Sequence, residues 1–298
     1  MLFENRFTLL ARVRAIFERF CFTRAPMSDP VPAVIEQWNL LAASVRGASH
    51  ETCNHPCQDS HASTLLPGGF LVAAVADGAG SAACAELGSA TAAAAAVEAV
   101  TAAQDQLAGL SDQAAWKPFF QSVIQSARGG VEKAALEADR PLADFATTLI
   151  VVVFGPDMAA AAQVGDGAAV VADAAGAIYS LTVPQVSEYL NETTFLTSPN
   201  LMEALQCTFW KGCPSQGAVM SDGLQMLALK MPGASPHAPF FLPLFRFAAG
   251  VTDALAAQAQ LAGWLASDAV RKRSDDDVTL MLITRKACPA PPAPDSHE

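Results

Sequence analysis

Three aspartates each follow a short apolar segment and each precede a glycine. Asp77 stands in the run Val-Ala-Asp-Gly, Asp166 in Val-Gly-Asp-Gly and Asp222 in Met-Ser-Asp-Gly. A fourth acidic cluster, residues 275–277, directly precedes the apolar segment 278–283, and Asp59 adds an acid upstream. A carboxylate at the end of a buried strand is unfavourable unless it is paired or coordinates a metal ion. These acids are therefore candidate metal ligands.

Basic partners for these acids are scarce. The 298 residues include 18 Lys and Arg against 29 Asp and Glu, a net charge of −11, and only residues 271–273 are basic beside the four strand ends. Several hard oxygen donors favour Mg²⁺ or Mn²⁺ over zinc. One Asp-Gly pair alone is ordinary turn chemistry, but four acidic sites on apolar strands predict metal binding.

The composition excludes several classes of protein. Hydrophobic residues make up 52% and charged residues 16%, so the chain can bury a core and is not intrinsically disordered. Its acidity disfavours nucleic-acid binding, and no apolar run is long enough to span a membrane. The seven cysteines are odd in number and irregularly spaced, which predicts reduced thiols and a cytoplasmic protein.

The apolar pattern predicts strands and helices in separate blocks, which indicates an α+β fold. Four short strands follow one another with brief turns between them, and we expect them to be antiparallel neighbours. Residues 183–200 are polar and predict a surface excursion. Strands are predicted at 70–76, 147–154, 160–164, 168–172, 177–181, 217–221 and 278–284, and helices at 86–107, 114–138 and 252–266.

The two ends differ from the rest of the chain. Residues 1–26 carry five arginines against two glutamates, with apolar residues at helical spacing, so an amphipathic membrane-binding helix is one interpretation. We favour the other, a basic extension upstream of a natural start at Met27. One domain is predicted over residues 27–286, followed by a disordered, proline-rich tail at 287–298.

The acids and their flanking residues, taken in order, resemble the PPM-type (type 2C) metal-dependent Ser/Thr protein phosphatase family, bacterial subgroup. Each short motif is weak alone, but six in order over residues 43–285 are specific. Two further stretches, 47–59 and 188–193, are similar to the bacterial members. The six motifs are Asp59, residues 75–78, residues 146–149 (Ala-Thr-Thr-Leu), residues 164–167, residues 220–223 and residues 276–279 (Asp-Asp-Val-Thr).

The resemblance implies a four-layer α-β-β-α sandwich of two antiparallel sheets flanked by helices, with two Mn²⁺ or Mg²⁺ ions at one edge. Asp77 would bridge both ions, and the Gly78 carbonyl would bind one of them. Asp222 and Asp276 would hold the other ion, and Asp59 would act on the first through water. Asp166 matches a position that bacterial members use for a third, weaker ion.

The implied activity is hydrolysis of phosphoserine and phosphothreonine on a phosphorylated protein by a metal-bridged hydroxide, with Asp77, Asp222 and Asp276 as the catalytic set. Asn54 stands where the family has an arginine that contacts the substrate phosphate. Arg46 and His50 are the candidate substitutes for it. A catalytically weak, phosphoprotein-binding member of the family is therefore an alternative. The oligomeric state stays open.

Two other motifs suggest different functions. Residues 78–83 fit the Gly-x-Gly-x-x-Ala fingerprint of NAD-dependent oxidoreductases, but a helix rather than a strand is predicted after the first helix. His50, Cys53, His55, Cys57 and His61 lie within twelve residues and allow a zinc site. Their spacing matches no closed zinc pattern, and we interpret the stretch as a polar loop.

Overall fold

A computed structural model describes residues 37–185 and 193–286. Its strands form two five-stranded antiparallel sheets and one small two-stranded sheet. The strands are β1 (Trp38–Val45), β2 (Asp59–Leu66), β3 (Phe70–Asp77), β4 (Leu149–Phe154), β5 (Met158–Val164), β6 (Ala168–Asp173), β7 (Ile178–Thr182), β8 (Gln206–Lys211), β9 (Pro214–Met220), β10 (Leu229–Lys230), β11 (Ser235–Pro236) and β12 (Val278–Arg285).

The first large sheet has the order β1-β12-β9-β6-β7 and the second has the order β2-β3-β4-β5-β8. Two long helices follow β3, and a second group of helices lies between β11 and β12. The helices are α1 (Ala48–Cys53), α2 (Ala85–Ala102), α3 (Gln113–Glu137), α4 (Leu201–Ala204), α5 (Gln225–Ala228), α6 (Ala238–Ala249), α7 (Ala254–Leu265) and α8 (Asp268–Arg271).

Three apolar layers hold the helices and sheets together. Alternate residues of a strand point to opposite faces of its sheet, and β3 illustrates this. Its Leu71 and Val75 pack between the two sheets, whereas Val72 and Ala74 pack against α2 and α3. The first sheet packs its outer face against α6 and α7. The predicted four-layer sandwich is therefore confirmed.

One prediction about neighbouring strands is wrong. The short turn at residues 165–167 does not join antiparallel neighbours, because β5 belongs to the second sheet and β6 to the first. Gly165 has φ 106°, a conformation that glycine favours. The chain crosses between the sheets at this turn. A Cβ on Gly167 would lie 2.6 Å from the Met220 carbonyl oxygen, so position 167 has no room for a side chain.

The polar stretch at residues 50–61 also differs from the prediction of a loop. Residues 48–53 form α1, and β2 begins at Asp59. The alternation of apolar and polar residues is faint in β2 because it is an edge strand and its outward positions are partly exposed. The helix at 114–138 and the strands at 70–76 and 278–284 occur within one or two residues of the predicted bounds.

The dinucleotide-binding alternative does not fit this topology. That fold needs parallel strands joined by crossover helices, whereas β3 pairs antiparallel with both β2 and β4. The predicted extension at 1–26, the tail at 287–298 and most of the bacterial-type stretch at 188–193 lie outside the described residues. Within the ranges that the structure describes, no helix has the length and apolar character needed to cross a membrane.

Candidate active site

The predicted acids meet at one end of the sandwich because of strand pairing. Asp59 begins β2 and Asp77 ends β3, and the two are direct partners in the antiparallel ladder. In the other sheet β9 pairs antiparallel with β12. The residues after β9, where Asp222 lies, and the residues before β12, where Asp276 lies, therefore share one end. Asp166 lies in the crossing between the sheets at the same end.

Asp77 is fixed through its backbone by the two threonines of the predicted Thr motif. Its N–H donates to Thr148 Oγ1 at 3.0 Å, and its carbonyl accepts Thr147 Oγ1–H at 2.9 Å and Thr148 N–H at 2.8 Å. The next residue must be glycine, since a Cβ on Gly78 would lie 2.6 Å from the Ala85 carbonyl oxygen at the start of α2. The end of β3 is thus held tightly against the helix layer.

Asp59 is buried and joined to the opposite sheet. Its Oδ2 accepts a hydrogen bond from the Ser221 hydroxyl at 2.7 Å, and Ser221 Oγ accepts the Thr279 N–H at 2.9 Å. Thr279 Oγ1 in turn donates to Ser44 Oγ at 2.6 Å, and Ser44 Oγ lies 2.9 Å from His61 Nδ1. This chain of polar contacts ties β2 to β1 and β12 beneath the acids.

Burial and mutual repulsion raise the pKa values of three of the carboxyls. Burial, aided by the charges of Asp277 and then Asp222, raises the pKa of Asp59 to about 7. Burial also raises the pKa of Asp77 well above the usual range, with contributions from Asp59, Asp222 and Asp276. Burial and then Asp166 raise the pKa of Asp222 to about 6. These charges link the five acids, Asp166 through Asp222; we call the five the carboxylate cluster.

Asp166 lies at the rim of the carboxylate cluster. Its Oδ2 accepts the Thr193 hydroxyl at 2.8 Å, and its carbonyl accepts Gln225 Nε2–H at 2.5 Å. Asp276 is oriented from its own loop, because the Asp277 N–H donates to Asp276 Oδ1 at 2.8 Å. Both side chains are therefore held by residues of stretches that the sequence already singles out, 188–193 and 276–279.

The donor set of the cluster fits a hard divalent cation. Oδ1 of Asp59 and Oδ1 of Asp222 are buried and lack hydrogen-bond partners, and within residues 37–185 and 193–286 no cluster member is ion-paired with lysine or arginine. As the described side chains stand, no three His, Cys, Asp or Glu residues already form a metal cage. A cation would offset the mutual repulsion of these carboxylates and supply the missing partner.

The two candidate phosphate-binding residues differ in what they contact. Arg46 Nη1 donates to the His55 carbonyl at 3.2 Å, beside Asn54, and its charge acts on Glu51 rather than on the cluster. His50 Nδ1 lies 2.9 Å from Asp277 Oδ2. Its Nε2 lies 4.0 Å from the point where a Cβ on Gly80 would stand, in the loop that follows Asp77. His50 therefore borders the cluster.

Sequence reasoning missed Asp277 and the role of Ser221. Asp277 lay within the quoted run 276–279, but the motif assigns only Asp276 to a metal ion. Asp277 is only 2% exposed, and the sequence alone does not reveal this burial. The nearby stretch considered for zinc is used otherwise, since His50 contacts Asp277 and His61 contacts Ser44. Arg271, the basic residue beside the cluster, pairs with Glu51 instead.

Comparisons with known proteins find similar sequences. The family model described as "Protein phosphatase 2C" matches residues 46–266. Serine/threonine-protein phosphatase 3 of Escherichia coli (strain K12) is 33% identical over 255 residues, which cover 82% of this chain and 97% of that protein.

Solved structures share the fold at lower sequence identity. A bacterial serine phosphatase matches with a TM-score of 0.55 at 14% identity, over 82% of this chain and 96% of its own. The serine/threonine phosphatase Stp1 of Staphylococcus aureus also matches with a TM-score of 0.55 at 14% identity, over 88% of this chain and 99% of its own. At this identity the likeness concerns the fold alone.

Proposed function

Because the chain belongs to the protein phosphatase 2C family, we propose that it hydrolyses phosphoserine and phosphothreonine monoesters on proteins, with divalent cations bound at the carboxylate cluster. Family membership confirms the predicted enzyme class, a Ser/Thr protein phosphatase and hence a hydrolase. The observation that carries the finer proposal is the gathering of the buried Asp59 with the half-buried Asp77 and Asp222 as unneutralised carboxyls with raised pKa values.

The proposed ligands are those that the sequence predicts. Asp77 and the Gly78 carbonyl would hold one ion, Asp77 with Asp222 and Asp276 a second, and Asp59 would act on the first through water. Asp166 would serve a third, weaker site. When bound, two Mn²⁺ or Mg²⁺ ions would lower the pKa of a water to near neutrality and offset the charge that develops on the phosphoryl group.

The chain's own residues supply position and charge. In the hydrolysis a water gives up one proton as its oxygen bonds to phosphorus, the bond to the serine or threonine oxygen breaks, and the leaving oxygen takes up one proton. Thr147 and Thr148 keep Asp77 at the end of β3, and Ser221 keeps Asp59 turned toward the cluster. These contacts support a rigid ligand set, which phosphoryl transfer requires because positioning dominates its catalysis.

For the substrate phosphate we propose His50 rather than Arg46. His50 is anchored beside the cluster through Asp277, whereas Arg46 donates to the backbone carbonyl of His55, which follows α1. An imidazole N–H can donate to a phosphate oxygen as the family's arginine would, although through one bond instead of two. We expect weaker phosphate binding than an arginine would give.

The test is hydrolysis of para-nitrophenyl phosphate with and without Mn²⁺, comparing wild type with Asp77→Asn. A matched control is Asp173→Asn, because Asp173 also ends a strand, β6, but at the opposite end of the sandwich. We expect Mn²⁺-dependent turnover in wild type and in the control and its loss in Asp77→Asn. Metal-independent turnover, or an Asp77→Asn variant as active as wild type, would refute the proposal.

A second candidate function rests on Asn54, which replaces the family's phosphate-binding arginine. A catalytically weak member would bind a phosphoprotein without turning it over. A phosphoserine peptide separates the two cases: the enzyme releases inorganic phosphate from it, whereas the binding protein retains the peptide intact.

We also propose a cytoplasmic location, supported by the free cysteines at positions 53, 57, 84, 207 and 213.

A further inference from the structure

Asp277 is a buried carboxylate that accepts contacts from three directions. Its Oδ1 accepts the Gly47 N–H at 2.7 Å, and its Oδ2 accepts the Gln58 N–H at 2.6 Å. His50 Nδ1 lies 2.9 Å from the same Oδ2, close enough for an ion pair but without the alignment of a hydrogen bond. The residue is 2% exposed, so these groups take the place of water around its side chain. Asp277 is thus a satisfied acid next to an unsatisfied cluster.

The contacts of Asp277 connect three segments that matter for the site. Gly47 precedes α1, which carries His50; Gln58 precedes Asp59; and Asp277 itself follows Asp276. Gly47 packs closely against the Asp276 backbone, because a Cβ on Gly47 would lie 2.2 Å from the Asp276 carbonyl carbon. A substitution at Asp277 should therefore move the segments that carry His50 and Asp59.

Helix α1 is held by contacts other than those of His50. Arg271 forms a two-point ion pair with Glu51 at 2.7 and 2.9 Å. Ser49 donates both its N–H, at 2.9 Å, and its hydroxyl, at 2.7 Å, to the Asp275 carbonyl. These bonds fix the helix backbone. The His50 ring itself contacts two groups, His55, with ring centroids 6.0 Å apart, and Asp277 at Nδ1.

We propose that Asp277 is a positioning residue that orients His50, so that His50 Nε2 is available to a phosphate oxygen of the substrate. The proposal rests on the proposed function of this site and adds a residue to it. A carboxylate on Nδ1 holds the proton there and sets which nitrogen faces outward. The other nitrogen faces the loop at Gly80, which follows Asp77.

The experiment is a double-mutant cycle with Asp277→Asn and His50→Asn. Asparagine at 277 replaces an acceptor by an N–H donor, and asparagine at 50 keeps a donor near the Nδ1 position but has nothing at Nε2. Asp275→Asn is the matched control, since its side chain is exposed and its backbone carbonyl is unchanged. Inorganic phosphate binding is measured by calorimetry at saturating Mn²⁺, with KM and kcat for para-nitrophenyl phosphate alongside.

We expect each single variant to weaken phosphate binding and raise KM about tenfold or more. The double variant should bind phosphate within about twofold of His50→Asn. The control should match wild type. Additive effects, or an Asp277→Asn variant that binds phosphate like wild type, would overturn the proposal. If wild type binds phosphate with this coupling but does not turn over, the proposed function fails alone. If it neither binds nor hydrolyses, both fail.

An independent readout covers the case in which Asp277→Asn does not fold. In wild type with ¹⁵N-labelled histidine, we expect the His50 Nδ1 proton to be protected from exchange and shifted downfield by the adjacent carboxylate. In His50→Gln that signal is absent, which assigns it. A His50 ring whose proton sits on Nε2, with Nδ1 unprotonated, would contradict the orientation proposed.

Discussion

The two ends of the sandwich treat a strand-end aspartate in opposite ways. At the far end Asp173 closes β6, and its Oδ1 accepts the N–H groups of Ala175 and Ala177 while its Oδ2 accepts the Tyr179 hydroxyl. At the site end Asp222 follows β9 with a buried Oδ1 that has no hydrogen-bond partner. Asp173 therefore stabilises a turn at the far end, whereas Asp222 at the site end has a buried oxygen without a partner.

The far end also shows how this chain stabilises an arginine. Arg285 lies over the Trp38 ring at 5.6 Å and donates to the Pro156 carbonyl at 2.9 Å, and the Trp38 Nε1–H donates to the Gly69 carbonyl at 2.9 Å. Both terminal nitrogens of Arg285 and the Trp38 Nε1–H have acceptors. The contacts at the far end stabilise the fold, whereas the carboxylates gathered at the site end repel one another and destabilise it. Variants at the two ends should therefore behave differently.

The largest expected effect is on activity at the site end. Asp222→Asn should reduce kcat/KM for para-nitrophenyl phosphate by about a thousandfold, because a proposed metal ligand is lost. The same change should raise the melting temperature of the metal-free protein, since one buried repelling charge disappears. Assays at several Mn²⁺ concentrations, together with thermal melts in EDTA, measure both effects. A variant that loses stability along with activity would break the comparison.

At the far end the expected result is the reverse. Trp38→Ala should lower the free energy of unfolding by about 3–5 kcal/mol, because Trp38 is 3% exposed and packs against Phe154. The kcat/KM of the folded fraction should stay within about twofold of wild type. Urea unfolding and turnover at low temperature check both values. Loss of turnover in the folded fraction would show that the two ends are coupled.

The pH dependence of stability sharpens the same contrast. Folding raises the pKa of Asp222 from its usual value near 3.8 to about 6, so the folded state binds more protons than the unfolded state between these values. The metal-free protein should therefore lose stability from this group as the pH rises from about 4 to 7. Asp222→Asn should show less of this loss, and comparing the two variants cancels the titration of other groups.

Urea unfolding in EDTA at pH 5 and pH 8 measures that difference, which we expect to be about 1–3 kcal/mol. Adding Mn²⁺ at pH 8 should restore the stability of wild type, because a cation stabilises the ionised carboxylates. Equal pH slopes for wild type and Asp222→Asn would contradict the raised pKa.

A smaller effect is expected for Ser221→Ala. The Ser221 hydroxyl holds Asp59 Oδ2 and accepts the Thr279 N–H, so its loss should weaken Mn²⁺ binding by about tenfold and leave the fold intact. Calorimetric titration with Mn²⁺ measures this change. Ser215→Ala is a matched control, because Ser215 lies on β9, which Ser221 directly follows, but bonds backbone carbonyls at residues 172 and 173. Unchanged metal affinity in Ser221→Ala would show that Asp59 needs no such support.

Part of this account could be predicted from sequence because the signals are local. Asp77 and Asp222 follow apolar runs and precede glycines, and that pattern alone marks strand ends that bear acids. The sheet change at residues 165–167 could not be predicted, since a short Gly-Asp-Gly turn looks the same whether it joins neighbours or crosses between sheets. Strand β8, at the sheet edge, has only half-buried residues, so its pattern is weak.

The support around the site is also hidden from sequence. Asp277 and Gly47 are 230 positions apart, and nothing in either local pattern indicates that they bond. Asp275, Asp276 and Asp277 are alike as letters, yet only Asp277 is fully buried. Burial and long-range contacts separate them, and both arise from the pairing of β12 with β1 and β9.

The most direct test of the central claim is an anomalous diffraction map from crystals of the chain grown or soaked with Mn²⁺. The account predicts Mn²⁺ peaks that Asp77 shares with Asp222 and Asp276, at the end of the sandwich where β3, β9 and β12 meet. Peaks at other places only, or a carboxylate cluster that stays free of Mn²⁺ at saturating concentration, would contradict it.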